Sequence, residues 1–149
     1  MTIGDLCVAA TARSLAAHPH LNGAVDGEDR VLFADIDIGI ATDTPQGLVV
    51  PVLQRADTLA LTDLAAQTRV LAAAARELRL TPAMLEGGSA TVSNLGAYGI
   101  RAGTPVLNPP QAILVFVGAL EDRVVARDGG IHVRPMLTLS IAFDHRLAD

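Results

Sequence analysis

The feature that most constrains the fold of this chain is the segment AILVFV at residues 112–117, in which every side chain is apolar. A helix that crosses a membrane needs about 20 predominantly apolar residues, and no apolar run in the chain approaches that length. A strand-length segment that is apolar at successive positions is typical of a β-strand buried on both faces. The sequence therefore predicts a sheet with this strand in its interior.

The apolar spacing also predicts helices. One is expected from about Thr2 to Ala17, where apolar residues recur at helical spacing and Pro19 follows. A second is expected from Thr62, as the N-cap, to about Leu78. A third start signal is the pair Thr81 and Pro82, with threonine as N-cap and proline at the first helical position. Two full helices and the start of a third are thus predicted.

Further strands are predicted where apolar residues alternate with polar ones. These segments are RVLFADIDIGIATD, LVVPVL, GGSATVSNLG and MLTLSIAF, together with a hairpin, DRVVARDGGIHVRP, that turns at Asp128-Gly129-Gly130. Helices alternate with strands early in the chain, and a mostly antiparallel series of strands follows. The fold class predicted from this order is α/β with a mixed sheet, in one domain.

The composition indicates which partners to expect. Half of the residues are hydrophobic, 18% are charged and the mean hydropathy is +0.40, so subunit contacts are expected to bury apolar surface. The net charge is −5 and there is no basic tract, which argues against nucleic acid or an anionic membrane as partner. A single cysteine, Cys7, and the lack of a signal-peptide pattern predict a cytoplasmic location.

Two predicted strands end in polar side chains. The last strand leads directly into His145, and a histidine at a strand end can act as a base near neutral pH or simply face solvent. Ser93 stands where another strand meets a glycine turn. A serine and a histidine suggest a hydrolase with a serine nucleophile, but Ser93 lacks the Gly-x-Ser-x-Gly motif. Because a serine can also donate a hydrogen bond to an oxyanion, spacing alone leaves both roles open.

Four segments, in order along the chain, carry a resemblance to a known family. They are DIGIATDTPQGLVVPV, GGSATVSNLGAYGI, LNPPQAILVFVG and MLTLSIAFDHRLAD. They resemble the signature blocks of the catalytic domain of dihydrolipoamide acyltransferases, the E2 components of 2-oxo acid dehydrogenase complexes. The resemblance implies the two-layer sandwich of chloramphenicol acetyltransferase, with a mixed β-sheet and helices. Residues 1–149 are expected to be part of such a domain, truncated at both ends and without a lipoyl or peripheral-subunit-binding domain.

The resemblance implies acyl transfer between a dihydrolipoyl thiol and coenzyme A. It assigns His145 as the general base and Ser93 as the hydroxyl that donates to the oxyanion. Asp149, the last residue of the DHR-x-x-D pattern, is expected to be either catalytic or structural. Asp144 and Arg146 are expected to form an ion-paired brace around the histidine. No metal site is expected.

The same resemblance implies where coenzyme A and the lipoyl group act. Coenzyme A contacts are expected at Asp43, at the turn formed by Ser93 and Asn94, and at Gly118. For two of these positions a structural role is an alternative, since Asp43 could cap a turn and Gly118 could be a strand-end glycine. The lipoyl group would be carried on a domain that is not in this chain.

The implied partners are other copies of the chain. The family forms homotrimers in which Ser93 and His145 would come from neighbouring subunits, and the trimers build a cubic or dodecahedral core that recruits an E1 decarboxylase and the E3 dihydrolipoamide dehydrogenase. Leu95 replaces a glycine that is common in succinyl-transferring members, which favours acetyl or branched-chain acyl groups. The alternatives are an inactive structural core protein and a stand-alone acetyltransferase that uses coenzyme A.

Overall fold

A computed structural model describes residues 1–148. The described chain has two α-helices, α1 (Ile3–Ala17) and α2 (Leu61–Arg76). Its strands are β1 (Gly23–Asp26), β2 (Asp29–Leu32), β3 (Ile38–Ile40), β4 (Thr42–Thr44), β5 (Gly47–Val49), β6 (Val52–Leu53), β7 (Ala90–Asn94), β8 (Ile113–Val117), β9 (Glu121–Arg127), β10 (Gly130–Met136) and β11 (Leu139–Phe143).

Five strands form the central sheet, in the order β11-β8-β7-β3-β6. The three inner strands β8, β7 and β3 run parallel to one another, and each edge strand, β11 or β6, pairs antiparallel with its neighbour. The sheet is therefore mixed, as predicted. Every residue of β8 is buried, which confirms the prediction from its apolar sequence.

The two faces of β8 are covered differently. Helix α1 packs its buried residues Val8, Ala12 and Leu15 into the same core as Val115, which covers one face. On the other face, Phe116 lies beneath the loop that joins β7 to β8, where an added Cβ at Gly103 would be 3.1 Å from the phenyl ring. Helix and loop together keep water away from the strand.

The start of α1 is fixed by a capping box. The amide of Asp5 donates to Thr2 Oγ1 over 3.2 Å, and the amide of Thr2 donates to Asp5 Oδ2 over 2.5 Å. The pair satisfies two backbone donors that the helix itself cannot use. The predicted position of this helix is confirmed.

Two other helix predictions need correction. Thr62 does not cap α2, because the helix begins at Leu61 and its N-cap is Ala60, two residues before the predicted cap, and Ala60 makes no side-chain cap bond. The helix ends before Leu78, whose φ of 57° is left-handed and cannot continue it. The start signal at Pro82 yields only the 3-10 turn Pro82–Met84.

Three short hairpins surround the central sheet, namely β1–β2, β4–β5 and β9–β10. The β9–β10 turn lies where the sequence predicts it, with Asp128 and Gly129 both at positive φ. The two predicted strands before α2 are each divided. The first, residues 30–43, is divided among β2, β3 and β4, and the second, residues 48–53, between β5 and β6. The second division falls at Pro51, which has no amide to donate to a ladder. Within residues 1–148, neither helix has the length and apolar character needed to span a membrane.

Burial in the core predicts a stability difference between two leucines. Leu53 is 1% exposed and Leu48 is 69% exposed. We expect Leu53→Ala to lower the free energy of unfolding by about 2–5 kcal/mol, because it removes buried contacts and leaves a cavity. The matched control Leu48→Ala should change it by about 0.5 kcal/mol or less. Equal midpoints in urea for the two variants would contradict this assignment of the core.

Candidate functional site

Ser93 lies near the end of β7, in a half-buried position directly opposite Phe116 of β8. The strand continues to Asn94 and then turns. The amide of Leu95 donates to Val117 O over 3.1 Å, and the amide of Gly96 donates to Asn94 Oδ1 over 3.0 Å. These bonds close the turn, so Ser93 is held on a rigid strand at its exit.

Asp43 lies at the same edge of the sheet, the one formed by the carboxyl ends of the parallel strands β3, β7 and β8. Parallel strands end together, and the amide of Ala41, just after β3, donates to Val92 O over 3.0 Å. The β4–β5 hairpin that carries Asp43 therefore begins beside the end of β7. The Tyr98 hydroxyl donates to Asp43 Oδ2 over 3.4 Å and joins the hairpin to the turn after Ser93.

Tyr98 makes a contact with Asp43 that was not predicted from the sequence. It is the only tyrosine of the chain and lies between Ala97 and Gly99, in a segment without apolar periodicity. No local signal links it to Asp43, which is 55 residues earlier in the chain.

Gly118 follows the end of β8 and belongs to the same edge. A Cβ there would be 2.0 Å from Arg101 O and 3.1 Å from Thr138 O, so the close approach of three backbone segments requires glycine. Gly118 also borders a small cavity of about 240 Å³, lined by Ile3, Asn94, Gly96, Ala97, Gly118 and Leu120. The structure thus brings Asp43, Ser93, Asn94 and Gly118 to one edge of the sheet.

His145 lies at the opposite edge. Strand β11 runs antiparallel to β8, and Phe143 pairs with Ile113 at the beginning of that strand, whereas Ser93 pairs with Phe116 near its end. The amide of Asp144 donates to Ala112 O over 2.9 Å, before β8 begins. From the usual rise per residue and the usual distance between strands, Ser93 and His145 lie about 15 Å apart along the strands and about 10 Å apart across them. The two side chains of one chain cannot share a substrate atom.

The turn that carries His145 is braced by an ion pair. Asp144 accepts from the Arg146 amide over 2.9 Å, from Arg146 Nε over 3.1 Å and from Arg146 Nη2 over 2.7 Å. These bonds lower the pKa of Asp144 to about 2, with the side-chain hydrogen bond from Arg146 as the largest cause. Leu147, 3% exposed, anchors the end of the turn.

The ring of Phe143 contacts the ring of His145, with centroids 4.6 Å apart and planes at 60°. His145 is exposed on this turn. Asp149 lies outside the described residues. Within residues 1–148 no cluster of three or more histidine, cysteine, aspartate and glutamate side chains could hold a metal ion.

The brace makes a prediction about titration. We expect Arg146→Ala to raise the pKa of Asp144 from about 2 towards its ordinary value near 3.8, as measured by NMR titration. Because the folded-state pKa is lowered, the ion pair stabilises the fold above the ordinary pKa and this contribution is lost as pH falls through about 2. Arg69→Ala, on α2, is the control and should leave the Asp144 titration unchanged. An unchanged Asp144 pKa in Arg146→Ala would contradict the brace.

Solved structures share this architecture. A probable dihydrolipoamide acetyltransferase from Listeria monocytogenes superposes with a TM-score of 0.95 and 34% identity, over 99% of this chain and 63% of that one. The cubic core of a pyruvate dehydrogenase multienzyme complex gives a TM-score of 0.94 and 33% identity, over 99% and 62%. Chloramphenicol acetyltransferase, at 14% identity and a TM-score of 0.51, shares the fold. The predicted fold class is confirmed.

Sequence comparison identifies relatives of known activity. The dihydrolipoyllysine-residue succinyltransferase component of the 2-oxoglutarate dehydrogenase complex of Haemophilus influenzae is 38% identical over 142 residues, 95% of this chain. The chain spans 35% of that relative's length. The family model described as 2-oxoacid dehydrogenases acyltransferase (catalytic domain) matches residues 1–149. The chain therefore belongs to the acyltransferase family of the 2-oxo acid dehydrogenases, within the catalytic domain.

Proposed function

We propose that this chain carries acyl-transfer residues that move an acyl group between a dihydrolipoyl thiol and coenzyme A in a 2-oxo acid dehydrogenase complex. The observation that carries the proposal is the family match over residues 1–149, which includes the strand ends that bear Ser93 and His145. Each of these side chains has a definite task in thioester exchange.

His145 acts as the general base. A thiol with a pKa of about 8.5 is only a few per cent thiolate at neutral pH, so removal of its proton during attack accelerates the reaction by about 10²–10⁴-fold. The exposed imidazole on its braced turn is accessible to a thiol and is oriented by the ring of Phe143. The turn thus holds the base in a fixed position.

Ser93 stabilises the tetrahedral intermediate. Attack of a thiolate on a thioester carbonyl places negative charge on the carbonyl oxygen, and a hydroxyl donor there contributes about 3–4 kcal/mol. The ladder to β8 and the closed turn after Asn94 support this role, because they hold the hydroxyl in place. The serine forms no covalent bond to the acyl group, so the Gly-x-Ser-x-Gly motif is not required.

The active site is shared between copies of the chain. Base and oxyanion donor must both reach one thioester, yet Ser93 and His145 of a single chain lie at opposite edges of the sheet. A neighbour that presents its histidine edge to the serine edge of this chain resolves the separation. The name of the structurally similar cubic core supports association of copies. We propose that the copies form the homotrimer predicted from the sequence.

Coenzyme A binds at the serine edge. Asn94 and Gly118 border the same small cavity, in which Gly96 and Ala97 leave room for an extended chain, while Asp43 and Tyr98 form the adjacent rim. The small side chains at the cavity and the polar groups at its rim are the features that would accommodate coenzyme A. Gly118 serves in addition as the residue over which three backbone segments cross.

The acyl group is proposed to be succinyl. The prediction of acetyl or branched-chain groups, which came from Leu95, is not supported by the curated relatives, since relatives that are 38% and 42% identical to this chain are succinyltransferases. Leu95 is half-buried in the turn after β7, with its amide bonded to Val117 O.

The cytoplasmic location and the E1 and E3 partners stay predictions.

Acyl specificity can be measured directly. With dihydrolipoamide as acceptor, we expect kcat/KM for succinyl-CoA to exceed the values for acetyl-CoA and isobutyryl-CoA by at least about 10²-fold. A site that pairs the substrate carboxylate leaves its polar groups unpaired when the acyl group lacks that carboxylate. Higher kcat/KM with acetyl-CoA or isobutyryl-CoA would reinstate the preference inferred from Leu95. No transfer from any of the three donors would favour an inactive structural core protein.

A mixing experiment tests the shared site. His145→Ala and Ser93→Ala should each lower kcat by about 10²-fold or more, whereas His20→Ala and Ser140→Ala, the matched controls, should retain wild-type turnover. When the two inactive variants are refolded together, activity should partly return, since one copy can supply an intact histidine and another an intact serine. Mixed oligomers are verified by mass. If they form and remain inactive, the site shared between Ser93 of one copy and His145 of another is refuted.

A further inference from the structure

Three arginines converge where the chain leaves β8 and enters the β9–β10 hairpin. Arg123 of β9 lies directly opposite Arg134 of β10, and directly paired residues project from the same face of a ladder. Arg101, in the loop between β7 and β8, bonds through its Nε to Glu121 Oε1 over 2.8 Å, and Glu121 shares the face of Arg123 two residues away. We call Arg101, Arg123 and Arg134 the arginine cluster.

The cluster carries more positive than negative charge. Glu121 is the carboxylate nearest to Arg101 and Arg123, at 2.8 Å and 3.9 Å, and among residues 1–148 no carboxylate lies within 4 Å of Arg134. Like charges at directly opposite positions of a ladder destabilise it. The chain has 16 acidic residues and 11 basic ones, so this excess of cations does not come from the composition. It indicates a ligand that supplies negative charge.

The cluster adjoins the edge of the sheet that carries Ser93. Arg123 Nη1 donates to Thr138 Oγ1 over 3.2 Å, and Thr138 O accepts from the amide of Gly118 over 2.9 Å. Leu120, which borders the small cavity together with Gly118, directly precedes β9. The cavity proposed for coenzyme A therefore lies beside the arginines.

The distance from Ser93 to the cluster matches the length of coenzyme A. Ser93 pairs with Phe116, two residues before Gly118, and Thr138 bonds to Gly118 from the far side of β8. From the usual rise per residue and the usual distance between strands, Ser93 and Thr138 are about 12 Å apart. The pantetheine arm has about 13 bonds between its sulfur and the first phosphorus, about as many as four extended residues, which span about 14 Å. A thiol placed at Ser93 thus brings the phosphates to the cluster.

We propose that the arginine cluster binds the phosphate groups of coenzyme A, an inference that rests on the acyl transfer proposed above. Guanidinium groups bind phosphate through paired hydrogen bonds, which an ammonium group cannot arrange in one plane. The charge of the bound ligand offsets the repulsion between Arg123 and Arg134. Because the rest of the chain is acidic, the cluster also attracts an anionic ligand to this edge of the sheet.

The bonds within the cluster position its arginines and leave donors for a ligand. In the described part of the chain Arg101 bonds through Nε to Glu121, and Arg123 bonds through Nη1 to Thr138. A guanidinium group has five N–H donors, so most of them remain for phosphate oxygens. The Arg101 side chain is 74% exposed and the Arg123 side chain 36%, which keeps both within reach of a ligand from solution.

Pantetheine, which has the thiol arm of coenzyme A without its phosphates, allows a direct test. With succinyl-dihydrolipoamide as donor, we expect Arg123→Gln and Arg134→Gln each to raise the KM for coenzyme A at least about 10-fold, because charge-assisted hydrogen bonds to phosphate are lost. The kcat and KM for pantetheine should stay at the wild-type values. Arg30→Gln, which removes an exposed arginine from the β1–β2 hairpin, is the matched control and should change neither substrate.

A binding measurement tests the cluster without turnover. By isothermal titration calorimetry, the wild type should bind coenzyme A at least about 10-fold more tightly than pantetheine. Raising the salt concentration from about 0.05 M to about 0.5 M should weaken the binding of coenzyme A and leave that of pantetheine unchanged. If Arg123→Gln fails to fold for want of its bond to Thr138, Arg134→Gln decides the question.

The proposal is overturned if the wild type does not bind coenzyme A, if Arg134→Gln binds it as tightly as the wild type does, or if Arg30→Gln weakens binding by the same factor. These results are separate from those on the proposed function. If the wild type binds coenzyme A through the cluster yet transfers no acyl group, the cluster stands and acyl transfer is refuted. If it transfers acyl groups to coenzyme A and pantetheine with equal KM, acyl transfer stands and the cluster is refuted.

Discussion

Burial of β8 between β7 and β11 is the constraint on which the other features of the molecule depend. β8 is apolar at every position and lies between two neighbours of opposite direction, with β7 parallel and β11 antiparallel. A parallel neighbour requires a crossover connection, and the residues between β7 and β8 form that crossover and cover Phe116 on their way. The antiparallel neighbour is reached through the β9–β10 hairpin, so the same strand accounts for the crossover and for the hairpin.

Strand direction also decides where the chemistry lies. β7 and β8 end at one edge of the sheet, which gathers Ser93, Asn94 and Gly118, whereas β11 ends at the other edge and carries His145 there. The serine edge is held by close backbone packing, since a Cβ at Gly96 would be 2.6 Å from Gly118 O. The histidine edge is held by the bonds between Asp144 and Arg146. Each half of the proposed site is held by its own bonds, and the proposed function requires a second copy to bring the two halves together.

Part of the apolar excess of the composition is exposed on the β9–β10 hairpin. In the β9–β10 hairpin, Arg123 bonds to Thr138 and Glu121 to Arg101, whereas Val124, Ile131 and Val133 are exposed. A domain that functions only in an assembly can carry such a surface, because its exposure ends when a neighbour covers it. The separation of Ser93 from His145 within one chain is the observation behind the proposed association of copies.

Local sequence determined much of this protein. The apolar run of β8, the capping signal at Thr2 and the turn at Asp128 and Gly129 each specify their element through side-chain burial, hydrogen bonding or backbone conformation of neighbouring residues. Where a local signal failed, as at Thr62 and Pro82, the chain lacked either the cap bond or room for a full helix before the positive-φ residues Gly87 and Gly88. The sequence also named Ser93 and His145 as strand-end residues.

Only the tertiary structure decided how those residues are arranged. Alternation of side chains specifies the faces of a strand but not its direction or its partner, because both depend on contacts with segments far away in the chain. The opposite positions of Ser93 and His145, the approach of Tyr98 to Asp43 and the exposure of the hairpin's apolar face all follow from such contacts. Patterns within a few residues fixed the elements, and the pairing of distant strands decided which of their ends meet.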